Sequence, residues 1–176
     1  SIFVAPMDSP GIERTPLRLL SSHDICSVYW DDVRIPAENL VAGENEGWKL
    51  IVNQLNHERV TLCSPGMAEQ MLHEVTDWAR VTEGADGRRV IDQEWVRVHL
   101  ARVHAKAEYL KLFNWRIASH QGNLDPAPAS ATKVYGTELA TEAYRLLMEV
   151  LGTNALVRRG SRGALLQGRI ERMHRS

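Results

Sequence analysis

From Gly47 onward the apolar residues return at helical spacing almost without interruption, and this periodicity constrains the fold more than any other feature. In Gly47-Trp-Lys-Leu-Ile-Val-Asn-Gln-Leu-Asn-His-Glu-Arg-Val-Thr-Leu62, the residues Trp48, Ile51, Val52, Leu55, Val60 and Leu62 mark one face of an amphipathic helix. The helical pattern runs to about residue 80, with a bend or break at Ser64-Pro65-Gly66, because proline lacks the N–H and its ring collides with the preceding turn. A polar, glycine-bearing loop over 81–89 precedes a second long helix over 90–120, in which Trp95, Val98, Arg102 and Ala105 alternate with Ile91, His99, Val103, Leu110 and Trp115. Gln121-Gly122 caps that helix, and Asn123-Leu-Asp-Pro-Ala-Pro128 reads as a stiff link. A third helix is predicted over 130–151, stopped by Gly152, then a loop over 154–163 with Arg158, Arg159 and Arg162, and a short helix over 165–174. Long helices on short links predict an up-and-down bundle, so the fold class is mainly α.

The first 35 residues have a different texture. Residues 1–7 read as a short apolar strand, Asp8-Ser-Pro-Gly11 as a turn, 12–20 as a second strand, and Cys26-Ser-Val-Tyr-Trp30, rich in β-branched and aromatic residues, as a third. Ala37-Glu-Asn-Leu-Val41 reads as an extended link, and Gly43-Glu-Asn-Glu-Gly47 as a turn that sets acidic side chains before the first long helix. So few strands do not make a self-sufficient sheet; they are expected to complete one whose other strands lie upstream. The chain opens without Met, inside an apolar run, and stops without a cap, so it reads as a piece of a longer protein.

A chain of 176 residues, 44% hydrophobic, can bury one real core. A formal charge of -1 argues against a nucleic-acid partner. No apolar run approaches the length of a membrane span, and the start is no signal peptide. Cys26 and Cys63 form no disulfide framework, which fits a reduced, cytoplasmic setting, and the seven histidines show no ligand spacing, so no metal is expected.

One resemblance covers essentially the whole chain. Trp30-Asp-Asp-Val-Arg-Ile-Pro-Ala-Glu-Asn-Leu40, followed by Gly43-Glu-Asn-Glu-Gly-Trp-Lys-Leu50, resembles the segment by which acyl-CoA dehydrogenases leave their β-domain for the C-terminal helical bundle. Phe3-Val-Ala-Pro-Met-Asp-Ser-Pro-Gly11 is similar to the family's late β-domain strand and turn, and Ile170-Glu-Arg-Met-His-Arg175 to the segment before its C-terminal tip. The resemblance implies a four-helix-bundle domain over 41–176, incomplete at its C-terminus, after the last strands and linker of a β-domain over 1–40. It implies FAD, an acyl-CoA substrate, an electron-transfer partner and a homo- or hetero-tetramer. In the family reaction a glutamate takes the α-proton of an acyl-CoA thioester while the β-hydride passes to FAD. Many members carry that glutamate in the C-terminal tip; others carry it just before a family arginine on the first helix of the bundle, the position held here by Glu58 before Arg59.

The chemistry suits the position. A base for a weakly acidic proton must approach the operating pH in pKa, and a carboxylate does so when substrate desolvates it. A rigid helix holds it on one side of the acyl chain. The bland reading is a solvated glutamate on an exposed helix face, the ordinary state of an arbitrary helix Glu. By the resemblance Arg59 lies at the base of the active site and Asn56 contacts the bound ester, against a plain polar helix face as the alternative; His57 reads as a solvated or interface residue.

Two departures stand out. The family's Arg-x-x-Phe-Gly, whose arginine grips the FAD pyrophosphate across a subunit interface, is replaced by Gly84-Ala-Asp-Gly-Arg88, leaving Arg88 and Arg89 as substitutes. The paired glycines at the third helix's end, where backbone nears the neighbour's FAD, are here Leu151-Gly-Thr-Asn154, with Gly152 kept and Thr153 crowding the approach. Both concern a neighbouring subunit's flavin. The expectation is one half of a heteromeric dehydrogenase, as in bacterial relatives built from two different subunits, some of which act on sterol side-chain CoA thioesters. The alternatives are a non-catalytic helical partner subunit and an acyl-CoA oxidase on the same architecture.

Overall fold

The computed structural model describes residues 1–21, 24–119 and 126–175, which fall into two compact units, Ser1–Leu55 and Asn56–Ser176. In the first, strand β2 (Ile12–Arg18) pairs antiparallel with β3 (Asp24–Trp30), from Ile12 opposite Trp30 to Arg18 opposite Asp24. The turn before β2 depends on Gly11: its φ is +88°, and a Cβ there would lie 2.1 Å from the Asp31 carbonyl oxygen. Strand β1 is confined to Ile2–Phe3, shorter than the predicted 1–7, and pairs with β4 (Leu40–Val41). The predicted extended link over 37–41 is instead a 3-10 turn, Ala37–Asn39, that leads into β4. Asn39 explains the difference, since its backbone N–H returns to the Pro36 carbonyl while its side chain donates to the Val4 carbonyl at 2.9 Å. Leu17, Ile25, Tyr29 and Trp30 of the hairpin stand exposed.

Helix α1 (Gly47–Leu62) begins in the first unit and ends in the second. The break at Ser64-Pro65 is present, and α2 (Gly66–Val81) starts directly after it. A 3-10 turn, Val90–Asp92, precedes α3 (Glu94–Ala118). The predicted cap at 121–122 lies outside the described residues. Helix α4 is Pro126–Leu151, four residues longer at its start than predicted. Pro126 and Pro128 sit in its first turn, where backbone N–H groups have no helical partner, so the prolines end nothing. Gly152, at φ +68°, closes α4 as predicted. Of the helix predicted over 165–174 only α5 (Arg169–His174) is α-helical, because Leu166, Gln167 and Gly168 take positive φ.

One apolar core joins α2, α3, α4 and α5. Met71, Val75 and Ala79 of α2 meet Val96, Leu100, Val103 and Leu110 of α3 and Leu139, Ala143, Leu147 and Val150 of α4, and Ile170 of α5 is fully buried among them. These residues recur at steps of three and four, so each helix presents one stripe inward. Each fully buried Val, Leu, Ile or Met contributes about 1.5–3 kcal/mol. Along α3 the buried series is Val96, Leu100, Val103, Ala107, Leu110 and Ile117, while Trp95, Val98, Tyr109, Leu112 and Trp115 remain exposed. Among the described residues no helix is long and apolar enough to cross a membrane.

Candidate functional site

The last two turns of α1 are fastened to the bundle, and that fastening sets the geometry around Glu58. Asn56 is only 6% exposed. Arg59, one turn later on the same side of the helix, is half-buried, and its Nη1 donates to Asn56 Oδ1 at 3.1 Å and to Ser130 Oγ on α4 at 3.0 Å. Four residues on, Cys63 is buried against Gly136 of α4. Its thiol lies 3.5 Å from the Lys133 carbonyl, and its own carbonyl accepts from Asn114 Nδ2 of α3 at 3.0 Å. Burial pushes the Cys63 thiol above its ordinary pKa, with nearby Lys133 acting in the opposite direction.

Glu58 lies about 200° around the helix from Asn56 and 100° from Arg59, and so on a different face from the pinned pair. It is exposed, and its carboxylate has no hydrogen bond or ion pair among the described residues. His57 is exposed as well, and its backbone carbonyl accepts from Thr61 Oγ1 at 3.1 Å. The structure thus brings Asn56 and Arg59 together and leaves the Glu58 carboxylate unpaired. Ser130, Gly136 and Asn114 were not singled out from the sequence. The small-residue run Ala127-Pro-Ala-Ser-Ala-Thr132 with Gly136 carries a signal for the first two, since only small side chains let another helix approach that closely.

The residues matched to the flavin lie elsewhere in the same unit. The loop after α2 is closed by the Gly84 N–H to the Arg88 carbonyl at 2.8 Å and by Val90 N–H to the Thr82 carbonyl at 2.9 Å. Within it Arg88 Nε donates to Asp86 Oδ2 at 2.9 Å, and Arg89 donates through Nε and Nη2 to the two carboxylate oxygens of Asp92 at 2.9 and 3.2 Å. Hydrogen bonds from Arg88, through its backbone N–H and its side chain, hold the Asp86 carboxyl below the usual range. Both guanidiniums are engaged by carboxylates of their own loop, which would also repel a diphosphate, so this loop does not fit the FAD pyrophosphate.

Arg88 lines a depression of about 580 Å³ with Gln93, Trp95 and His99, and Gly152 and Thr153 line another of about 310 Å³ with Arg145 and Glu149. His99 Nε2 lies 2.8 Å from Glu149 Oε2, so the walls of the two depressions meet there. Glu149 is held below its usual pKa chiefly by the hydrogen bond to His99, with Arg145 adding to the effect and desolvation opposing it. Gly152 fits a close backbone approach: it is exposed, and a Cβ added there would meet nothing within 4 Å.

The family model described as the C-terminal domain of acyl-CoA dehydrogenase matches residues 45–176. FadE26 of Mycobacterium tuberculosis, an acyl-CoA dehydrogenase, is 56% identical over 181 residues, covering 100% of this chain and 45% of that protein. FadE29 of the same organism is 39% identical, covering 86% of this chain and 39% of its own. Among solved structures, the ChsE4-ChsE5 complex from Mycobacterium tuberculosis superposes with a TM-score of 0.90 at 58% identity, over 98% of this chain and 45% of that one. The Tcur3481-Tcur3483 steroid ACAD follows at a TM-score of 0.87 and 38% identity, over 98% of this chain and 44% of that one. The chain therefore spans a little under half the length of the relatives it matches.

Proposed function

The chain belongs to the acyl-CoA dehydrogenase family, and from that premise we propose that it is the C-terminal part of a subunit that dehydrogenates an acyl-CoA thioester between its α and β carbons, with Glu58 as the base. Residues 1–40 are on this reading the end of a β-domain and 41–176 the helical domain. Its support is one observation above all: an accessible, unpaired carboxylate directly before a half-buried arginine, on a helix held by side chains from two others. An exposed helix glutamate is ordinarily a solvated charge. Glu58 differs because its neighbours on the helix are pinned, so its backbone position is fixed while its carboxylate stays free to accept a proton.

Glu58 takes the α-proton as the C–H bond breaks, and the electron pair of that bond becomes the new α,β double bond. FAD, when bound, supplies the acceptor for the β-hydride. Arg59 and Asn56 bind the substrate at its ester end. An acyl chain lying over Glu58 displaces water from the carboxylate and raises its basicity toward neutral pH. The complete enzyme would hand the electrons on to an electron-transfer partner.

The enzyme is built from two different chains. Two supports bear on this: the self-paired Arg88 and Arg89, which leave the loop without a grip on a neighbour's flavin, and the likeness to complexes described by two protein names each. From the steroid ACAD the proposal takes a bulky, steroid-derived acyl group as the substrate class. The same self-paired loop favours a second reading, in which this chain is a non-catalytic partner that stabilises the catalytic subunit.

One experiment tests the role of Glu58, on which the first reading rests. In the complete protein with its partner chain, Glu58→Gln is expected to slow anaerobic bleaching of bound FAD by acyl-CoA by about 10²–10⁴-fold, the usual contribution of a positioned base, while the acyl-CoA still binds. Bleaching at the wild-type rate moves the base to another residue or another chain.

A further inference from the structure

Arg59 is treated unlike Arg102 of α3, Arg145 of α4 and Arg169 of α5. Arg102, Arg145 and Arg169 each face a carboxylate, Glu142, Glu149 and Glu74 respectively. Arg59 is half-buried and makes no ion pair among the described residues; its Nη1 is met by two neutral oxygens, Asn56 Oδ1 and Ser130 Oγ. A guanidinium carries five N–H donors, two of them on Nη1. The three on Nε and Nη2 have no partner among the described residues. Neutral acceptors replace part of the lost hydration without cancelling the charge. The result is a cation held in place, still able to attract an oxygen of a ligand.

The two acceptors differ in origin. Asn56 lies one turn away on the same helix and would follow α1 wherever it moved. Ser130 lies 71 residues along the chain, on α4, and it is the group that ties the guanidinium to the bundle. Close packing at Cys63 and Gly136 fixes the distance between these helices, so the hydroxyl stands at a set place relative to Arg59.

We propose that Ser130 is a positioning residue for the substrate: its hydroxyl fixes the Arg59 guanidinium so that the free N–H groups present a preformed donor set to an oxygen of the acyl-CoA. Ser130 acts only through Arg59. The inference rests on Arg59 as a substrate-binding residue and does not require Glu58 to be the base.

The test uses the complete protein with its partner chain and the acyl-CoA that bleaches the wild-type flavin, with binding measured in a Glu58→Gln background so that turnover does not intervene. Ser130→Ala is expected to raise Kd about tenfold, the order expected for one hydrogen bond to a charged group. Ser130→Thr, which keeps the hydroxyl, returns Kd to within about twofold, and both variants keep the wild-type melting temperature. In an Arg59→Ala background, Ser130→Ala changes Kd no further, because the interaction it served is already gone. The proposal fails if Ser130→Ala binds like wild type, if Thr is no better than Ala, if the loss of binding follows a fall in melting temperature, or if the Arg59 and Ser130 effects add. Should Glu58→Gln keep full bleaching, the base assignment falls, and the same Ser130 variants are then compared by the Kd of the α,β-unsaturated product, which has already lost the α-proton and β-hydride.

Discussion

Glu142 and Glu58 are both helix glutamates, and the chain gives them opposite surroundings. The Glu142 side chain on α4 is 19% exposed and takes Arg102 Nε at 2.8 Å on one oxygen and Lys106 Nζ on the other, both from α3. The hydrogen bond from Lys106 is the main reason its pKa lies below the ordinary 4.5, and the charges of Lys106, Arg102 and Arg145 act in the same direction against desolvation. A depressed folded-state pKa means stability that is complete above 4.5 and lost as pH falls through the folded value. Glu142→Gln is therefore expected to lose about 1–2 kcal/mol at pH 7, within the range for a hydrogen bond between charged groups at a partly buried position. The gap in thermal midpoint between variant and wild type should close as the pH is lowered beneath 4.5. A gap of unchanged size at pH 3 would assign the loss to shape rather than charge. Glu58 is the counterpart: where Glu142 is neutralised on both oxygens, Glu58 is left without a partner.

At the scale of elements the decisive contact is α1 against α4. A Cβ on Gly136 would sit 2.6 Å from Cys63 Cβ and 3.0 Å from its Sγ, closer than real carbons approach. Gly136→Ala sets two effects against each other: alanine gains about 1 kcal/mol of helix propensity, while overpacking at so short a distance costs about 3 kcal/mol, the upper part of its usual range. The clash wins, so a net loss of about 2 kcal/mol is expected in denaturant unfolding. Cys63→Ala combined with Gly136→Ala should recover little, because the offending Cβ remains. A Gly136→Ala variant more stable than wild type would show that the helices are not this close. This contact also marks what could be read beforehand. Glu58, Asn56 and Arg59 lie within four residues of each other, so a resemblance carried by one contiguous segment is enough to propose them. Ser130 and Gly136 act on partners more than 70 residues away, and the small-residue run that holds Ser130 signals a close helix approach without telling which side chain meets it. The start of α4 was misplaced for a related reason: Pro126 and Pro128 stop a helix in its interior but not in its first turn, and the composition of 123–128 does not tell the two cases apart.

For the whole molecule the question is which functions the chain keeps and which it leaves to others. The helices were legible because apolar residues return at steps of three and four, but the inward faces were not: Trp48, Leu62, Trp95, Val98 and Trp115 belong to the periodic pattern and stand exposed. The engagement of Arg88 and Arg89 by Asp86 and Asp92 was not legible either, since two arginines in a loop look available until the loop is folded. Once folded, the loop holds its cations against its own carboxylates; the depression that Arg88 lines reaches His99, and the one lined by Arg145 and Glu149 meets it at the His99–Glu149 contact. A neighbour's FAD diphosphate placed there would have to break these pairs or sit beside their carboxylates. On the proposed two-chain assembly that neighbour has no flavin at this face, and the retained flavin lies where the other chain supplies the grip. The complete protein produced alone is accordingly expected to purify with well under one FAD per chain, read from the ratio of flavin to protein absorbance. Co-production with its partner chain should raise flavin content and bring the two chains through gel filtration together. A homo-oligomer carrying one FAD on every chain and bleaching with acyl-CoA would overturn the two-chain assembly and leave the self-paired loop as a local variation of the surface.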